Sequence, residues 1–112
     1  MTIDPDVLAA AKQFGLPPAL VQAVVTAEGG NAIVRAVQCS LVSVTTRPQA
    51  IDVVCRSAVH AMSDFIGEGG TGGRAGFVTF WAQRWAPQGA ANDPHNLNQY
   101  WPKNVLAGWL SA

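Results

Sequence analysis

The stretch that most constrains this chain is residues 45–67. There Ile51, Val54, Cys55, Ala58, Val59, Met62, Phe65 and Ile66 follow the i, i+3, i+4, i+7 spacing of one helix face. Thr45 or Thr46 offers an N-cap, Pro48 suits the first turn, and Gly67 ends the run. The length and regularity of the stripe predict a central core helix, against which other segments bury their own apolar faces.

Those other segments read as follows. Asp4 is an N-cap residue, Pro5 fits the first helical position, and Val7, Leu8 and Ala11 recur at helical spacing until Gly15. A second helix opens at Pro17-Pro18, carries Leu20, Val21, Val24 and Val25, and runs to about Glu28, where Gly29-Gly30 ends it. Residues 31–44 change character. Ile33, Val34, Val37, Cys39, Leu41, Val42 and Val44 are rich in β-branched types and partly alternate, which predicts one or two strands. Five glycines in residues 67–73 predict a flexible loop. A fourth helix spans about 74–85 with Phe77, Val78, Trp81 and Trp85 in its stripe, closed by Pro87. Residues 88–99 read as a structured loop, and a last helix begins near Pro102 with Val105, Leu106, Trp109 and Leu110. The expected class is α+β, mostly helical, with a small β element between the second and third helices.

At 112 residues the chain fits one domain, residues 1–112. Hydrophobic residues make up 49%, enough for a core, while only 12% are charged, about half the usual share. A polar surface built from Asn, Gln, Ser, Thr and Gly suits sugars or protein partners. Seven basic and seven acidic residues cancel, leaving no field to attract nucleic acid or anionic lipid. No apolar run reaches the roughly 18 residues of a membrane span. The opening Met-Thr-Ile-Asp-Pro-Asp lacks the features of a signal peptide. The expected location is a virion or the cytoplasm of the producing cell. Cys39 and Cys55 are too few for a disulfide scaffold; two buried reduced thiols is the plainer reading, and one bridge between them is the alternative that spacing leaves open. With His60 and His95 they do not form a zinc pattern, so neither metal nor cofactor is expected.

Glu28 is the residue whose setting suggests chemistry. It continues the stripe of Val21 and Val24, and it sits at the C-terminal end of its helix, where the dipole disfavours negative charge. Both settings favour the neutral acid, the form a general acid needs for glycosidic cleavage. The glycines beyond it leave room for a bulky substrate. A partly exposed Glu at a helix end is the plain alternative.

Residues 16–30, Leu-Pro-Pro-Ala-Leu-Val-Gln-Ala-Val-Val-Thr-Ala-Glu-Gly-Gly, resemble the active-site helix of lytic transglycosylases and related lysozyme-like proteins. In that family a Pro-x-Leu opening leads through an aliphatic helix to a catalytic Glu, then Ser or Gly, then Gly. Glu28 matches the catalytic position, and Gly29 stands where Ser is commoner. Arg84-Trp85-Ala86-Pro87, Asn92-Asp93-Pro94, Tyr100 and Val105 are similar to the closing segment of phage and bacterial cell-wall glycosidases. The family's Gly-Leu-Met-Gln-like segment after the catalytic Glu is missing.

The resemblance implies cleavage of peptidoglycan glycan strands by a phage-type enzyme. Glu28 would be general acid and base, and Tyr100 would orient it or the departing oxygen. Gln38, Ser40, Asn92, Asn96 and Asn98 are candidate substrate contacts, with an exposed strand face or loop-building as their plainer roles. Trp85 and Trp101 flank the polar loop and read equally as sugar-stacking rings or core, whereas Trp81 and Trp109 read as core. Hydrolysing lysozymes usually add a second carboxylate. Asp64 reads as a surface partner of His60, Asp93 as an Asx turn, and Glu68 as part of the glycine loop. One persuasive acid fits a transglycosylase better: Glu28 protonates the leaving oxygen, then takes the proton of the sugar C6 hydroxyl as that oxygen closes an anhydro ring. The implied partners are bacterial peptidoglycan and other virion or tail proteins. The competing expectations are a virion or tail structural protein that keeps the fold without the activity, and a helical adaptor.

Overall fold

The computed structural model describes residues 2–38 and 41–111, and every regular element among them is helical. Helix α1 spans Pro5–Phe14, α2 Pro18–Ala27, α3 Ile33–Gln38, α4 Arg47–Gly67, α5 Gly73–Trp85 and α6 Trp101–Leu110. Short 3-10 helices occupy Gly30–Ala32 and Leu97–Tyr100.

The sequence stops and starts act where expected. Gly15 ends α1 at φ 68°, and Pro5, Pro18, Pro48 and Pro102 sit in the first turns of their helices. Thr46 caps α4 through a reciprocal box. Its hydroxyl accepts from the Gln49 backbone N–H at 3.3 Å, and the Gln49 side-chain oxygen accepts from the Thr46 N–H at 3.1 Å. Asp4 stands at the N-cap of α1 without capping it through its side chain. Its carboxylate instead accepts from Arg47 at 2.7 Å and from the buried Gln22 at 3.2 Å.

The α+β expectation is corrected: residues 31–44 hold no strand among the described positions. Ile33 and Val37 are four apart and both buried, so they form one face of α3. That helical period outweighed the weak strand preference of β-branched residues, which packing readily overrides. The turn that follows is tied by Gln38, whose amide donates to the Val44 carbonyl at 2.7 Å. Cys39 and Ser40 lie outside the described residues.

Helix α2, rather than α4, is the most enclosed element. Residues 20–25 are buried without a break, and α2 packs most extensively against α6 while also meeting α1 and α4. A helix that is apolar all round belongs inside. Helix α4 is amphipathic: Ile51, Val54, Cys55, Ala58 and Ala61 face inward, while Val59 and Ile66 are exposed, the latter by 69%. Cys55 is a free, buried thiol. Burial, with the Asp52 charge adding to it, pushes its pKa up to about 11, so it packs as a small apolar group.

The glycine-rich stretch forms a tight turn between α4 and α5. Gly67 and Gly73 belong to the flanking helices, and the Gly70 N–H donates to the Phe65 carbonyl at 2.7 Å. Gly76 allows the close approach that follows, because a Cβ there would lie 2.0 Å from the Thr71 carbonyl oxygen.

Helix α5 then carries an aromatic column. Phe77 stacks on Trp81 at 5.8 Å between centroids, Trp101 of α6 meets Trp81 edge-on at 5.4 Å, and Trp85 lies 6.0 Å from Trp81. Trp81 is fully buried and its indole N–H donates to Ser57 at 2.8 Å. Trp109 is also core, edge-on to Phe77. No helix among the described residues is long and apolar enough to cross a membrane.

Candidate active site

Glu28 is the C-cap of α2. Its N–H still bonds the Val24 carbonyl at 2.9 Å, so its backbone completes the last turn. Gly29 at φ 94° and Gly30 at φ 63° then turn the chain sharply into the 3-10 helix and α3. The side chain of Glu28 is half-buried and points toward the aromatic column. Its Oε1 accepts from the Trp85 indole N–H at 2.6 Å and from the Trp101 indole N–H at 3.0 Å. No described residue bonds Oε2.

Two concavities meet at this carboxyl. The larger, of about 430 Å³, is walled on one side by Val37, Leu41 and Val53 and on the other by Arg84, Trp85 and the 86–98 loop. The smaller, of about 280 Å³, lies between Ala27, Leu97, Asn98, Tyr100, Trp101 and Asn104. Glu28 lines both. The larger falls in the range of about 300–1,000 Å³ common for ligand sites, with an apolar wall and a few convergent polar groups.

Glu28, Trp85, Asn92 and Asn98 line the larger cavity, and Glu28, Asn98, Tyr100 and Trp101 the smaller. Asn98 spans the two, fixed by its amide donating to the Pro87 carbonyl at 2.9 Å. Asn96 is outside both, exposed at φ 54°, where it turns the chain into the 3-10 helix. Gln38 is spent on the Val44 carbonyl, and Ser40 lies outside the described residues. Tyr100 is 52% exposed and no hydrogen bond joins it to Glu28; the indoles of Trp85 and Trp101 occupy that role. Trp101 is only 6% exposed, which leaves little ring face for a sugar.

The other acids have structural partners. Asp64 pairs with Arg84, not with His60, and Glu68 lies 3.8 Å from the same guanidinium. Asp93 accepts from the Leu97 and Asn98 N–H groups, each at 2.8 Å, and so builds the loop. None of the three lines either cavity. Leu41 and Asn104 are lining residues that sequence reasoning passed over, and Arg84 entered it only as part of the Arg84-Trp85-Ala86-Pro87 likeness. Asn104 carried a signal, standing one turn after Trp101; Leu41 was hidden in the misread β stretch. No three His, Cys, Asp or Glu side chains cluster as a metal site would require among the described residues.

The arrangement can hold a single carboxyl at a fixed angle, with one oxygen anchored and the other bonded by no described residue. Compared with protein-family models, curated proteins and solved structures, the chain matches none of them.

Proposed function

We propose that this domain cleaves the glycan strands of bacterial peptidoglycan, with Glu28 as its one general acid and base. The observation that carries the reading is the position of Glu28: half-buried at the meeting of two cavities that no other carboxylate among the described residues lines. A strand laid across the meeting point would present a glycosidic oxygen to Glu28, with sugars on either side. The low share of charged residues and the amides of Asn92 and Asn98 suit a neutral, hydroxyl- and amide-rich polymer. The likeness of residues 16–30 to the catalytic helix of lytic transglycosylases supports the same assignment.

The reaction type follows from the acid count. Paired carboxylates in glycosidases stand about 5–9.5 Å apart and divide the acid and nucleophile or base roles. Here Asp64, Glu68 and Asp93 are committed elsewhere. With one acid, internal attack is the balanced route. Glu28 gives its proton to the glycosidic oxygen, the C1–O bond breaks, the C6 oxygen bonds to C1, and its proton returns to Glu28. The fragments released from purified peptidoglycan are expected to carry anhydro ends by mass spectrometry. Free reducing ends would mean that water attacks and that a second base operates.

A further inference from the structure

We propose that Trp85 and Trp101 are positioning residues that decide which oxygen of Glu28 carries the proton. The chemical consequence rests on the function proposed above; the proton's placement does not.

Both indole N–H groups reach the same atom, Oε1, at 2.6 and 3.0 Å. A protonated carboxyl has one carbonyl oxygen, a good acceptor with two lone pairs, and one hydroxyl oxygen, a poorer acceptor. Two donors on Oε1 make it the carbonyl oxygen. A proton placed there would displace at least one indole. The acid hydrogen therefore resides on Oε2, which no described residue bonds.

The donors suit the task because they are neutral and cannot titrate. Among the described residues, Arg84 is the one cation lining either cavity and pairs with Asp64 and Glu68, and Tyr100 is the other ionisable group beside Glu28 there. The two indoles are themselves fixed from behind by Trp81, 5.4 Å from Trp101 and 6.0 Å from Trp85. One oxygen thus both gives the proton to the leaving group and receives it from the C6 hydroxyl, so the carboxyl need not rotate between the two steps.

The test is the infrared carbonyl stretch of protonated Glu28, isolated as the difference between wild type and Glu28→Gln in acid. The expected band lies at the low wavenumber of a carbonyl accepting two hydrogen bonds. It should rise in Trp85→Phe and again in Trp101→Phe. On peptidoglycan, Trp85→Phe is expected to lower kcat up to about tenfold, the worth of one hydrogen bond, with KM little changed. A wild-type band at the position of an unbonded carboxyl overturns the proposal, and that measurement needs no tryptophan variant to fold. So does a low band that neither substitution moves. A protein inactive on peptidoglycan that still shows the lowered, tryptophan-sensitive band overturns the proposed function while supporting the proton's placement.

Discussion

Glu28 owes its position to the residue after it. Gly29 holds φ 94°, and a Cβ there would stand 3.1 Å from the Ala32 Cβ. A side chain would meet both the left-handed backbone penalty of about 1–2 kcal/mol and a tight contact. Gly29→Ala is expected to lower stability by about that amount in urea melts, and to reduce activity by shifting the end of α2. An unchanged midpoint would show that the corner relaxes freely. This residue was legible in the sequence as a helix stop. Its partner Ala32 was not, because residues 31–44 read as strand. Glu28 stood out because a charge continued an apolar stripe. Its two indole donors could not be paired with it from spacing, since they lie 57 and 73 positions downstream.

At the scale of elements, Arg47 joins three of them. Its guanidinium donates to Asp4 and Asp6, each at 2.7 Å, and to the Gly30 carbonyl at 3.4 Å. It thereby ties the start of α1 and the corner after α2 to the start of α4. The hydrogen bond from Arg47 holds the Asp6 carboxyl below its ordinary value of 3.8. A lowered carboxyl stabilises the fold above its unfolded value and loses that contribution as pH falls through its folded value. The melting temperature should therefore drop below about pH 4, and the drop should be smaller in Arg47→Met. Equal acid sensitivity in the two proteins would place the loss elsewhere. The pair is solvent-exposed, so high salt should weaken it. Helix boundaries were legible because Pro, Gly and Thr46 mark them locally. The class was misjudged at α3, a helix too short for its period to outvote its β-branched composition. Helix α4 is central, packing against α1, α2, α3 and α5, while the more uniform burial of the shorter α2 was less conspicuous than the stripe on the longest helix.

Across the whole molecule, the aromatic column links stability to the site. Phe77 and Trp81 of α5 pack with Trp101 of α6, Trp81 bonds Ser57 of α4, and Trp85 and Trp101 deliver two N–H groups to the C-cap residue of α2. The Glu28 carboxyl is thus braced by the core rather than by a loop, as the proposed proton placement requires. The cavities depend on the same packing, since Trp85 and Trp101 each line one.

The most direct measurement is the release of soluble glycan fragments from purified peptidoglycan by wild type and Glu28→Gln, each first shown to be folded. Gln keeps a carbonyl oxygen to accept both indoles, so its melting temperature should match wild type, while release should fall by at least about 100-fold. Equal release by the two proteins, or none from a folded wild type, would contradict the role assigned to Glu28.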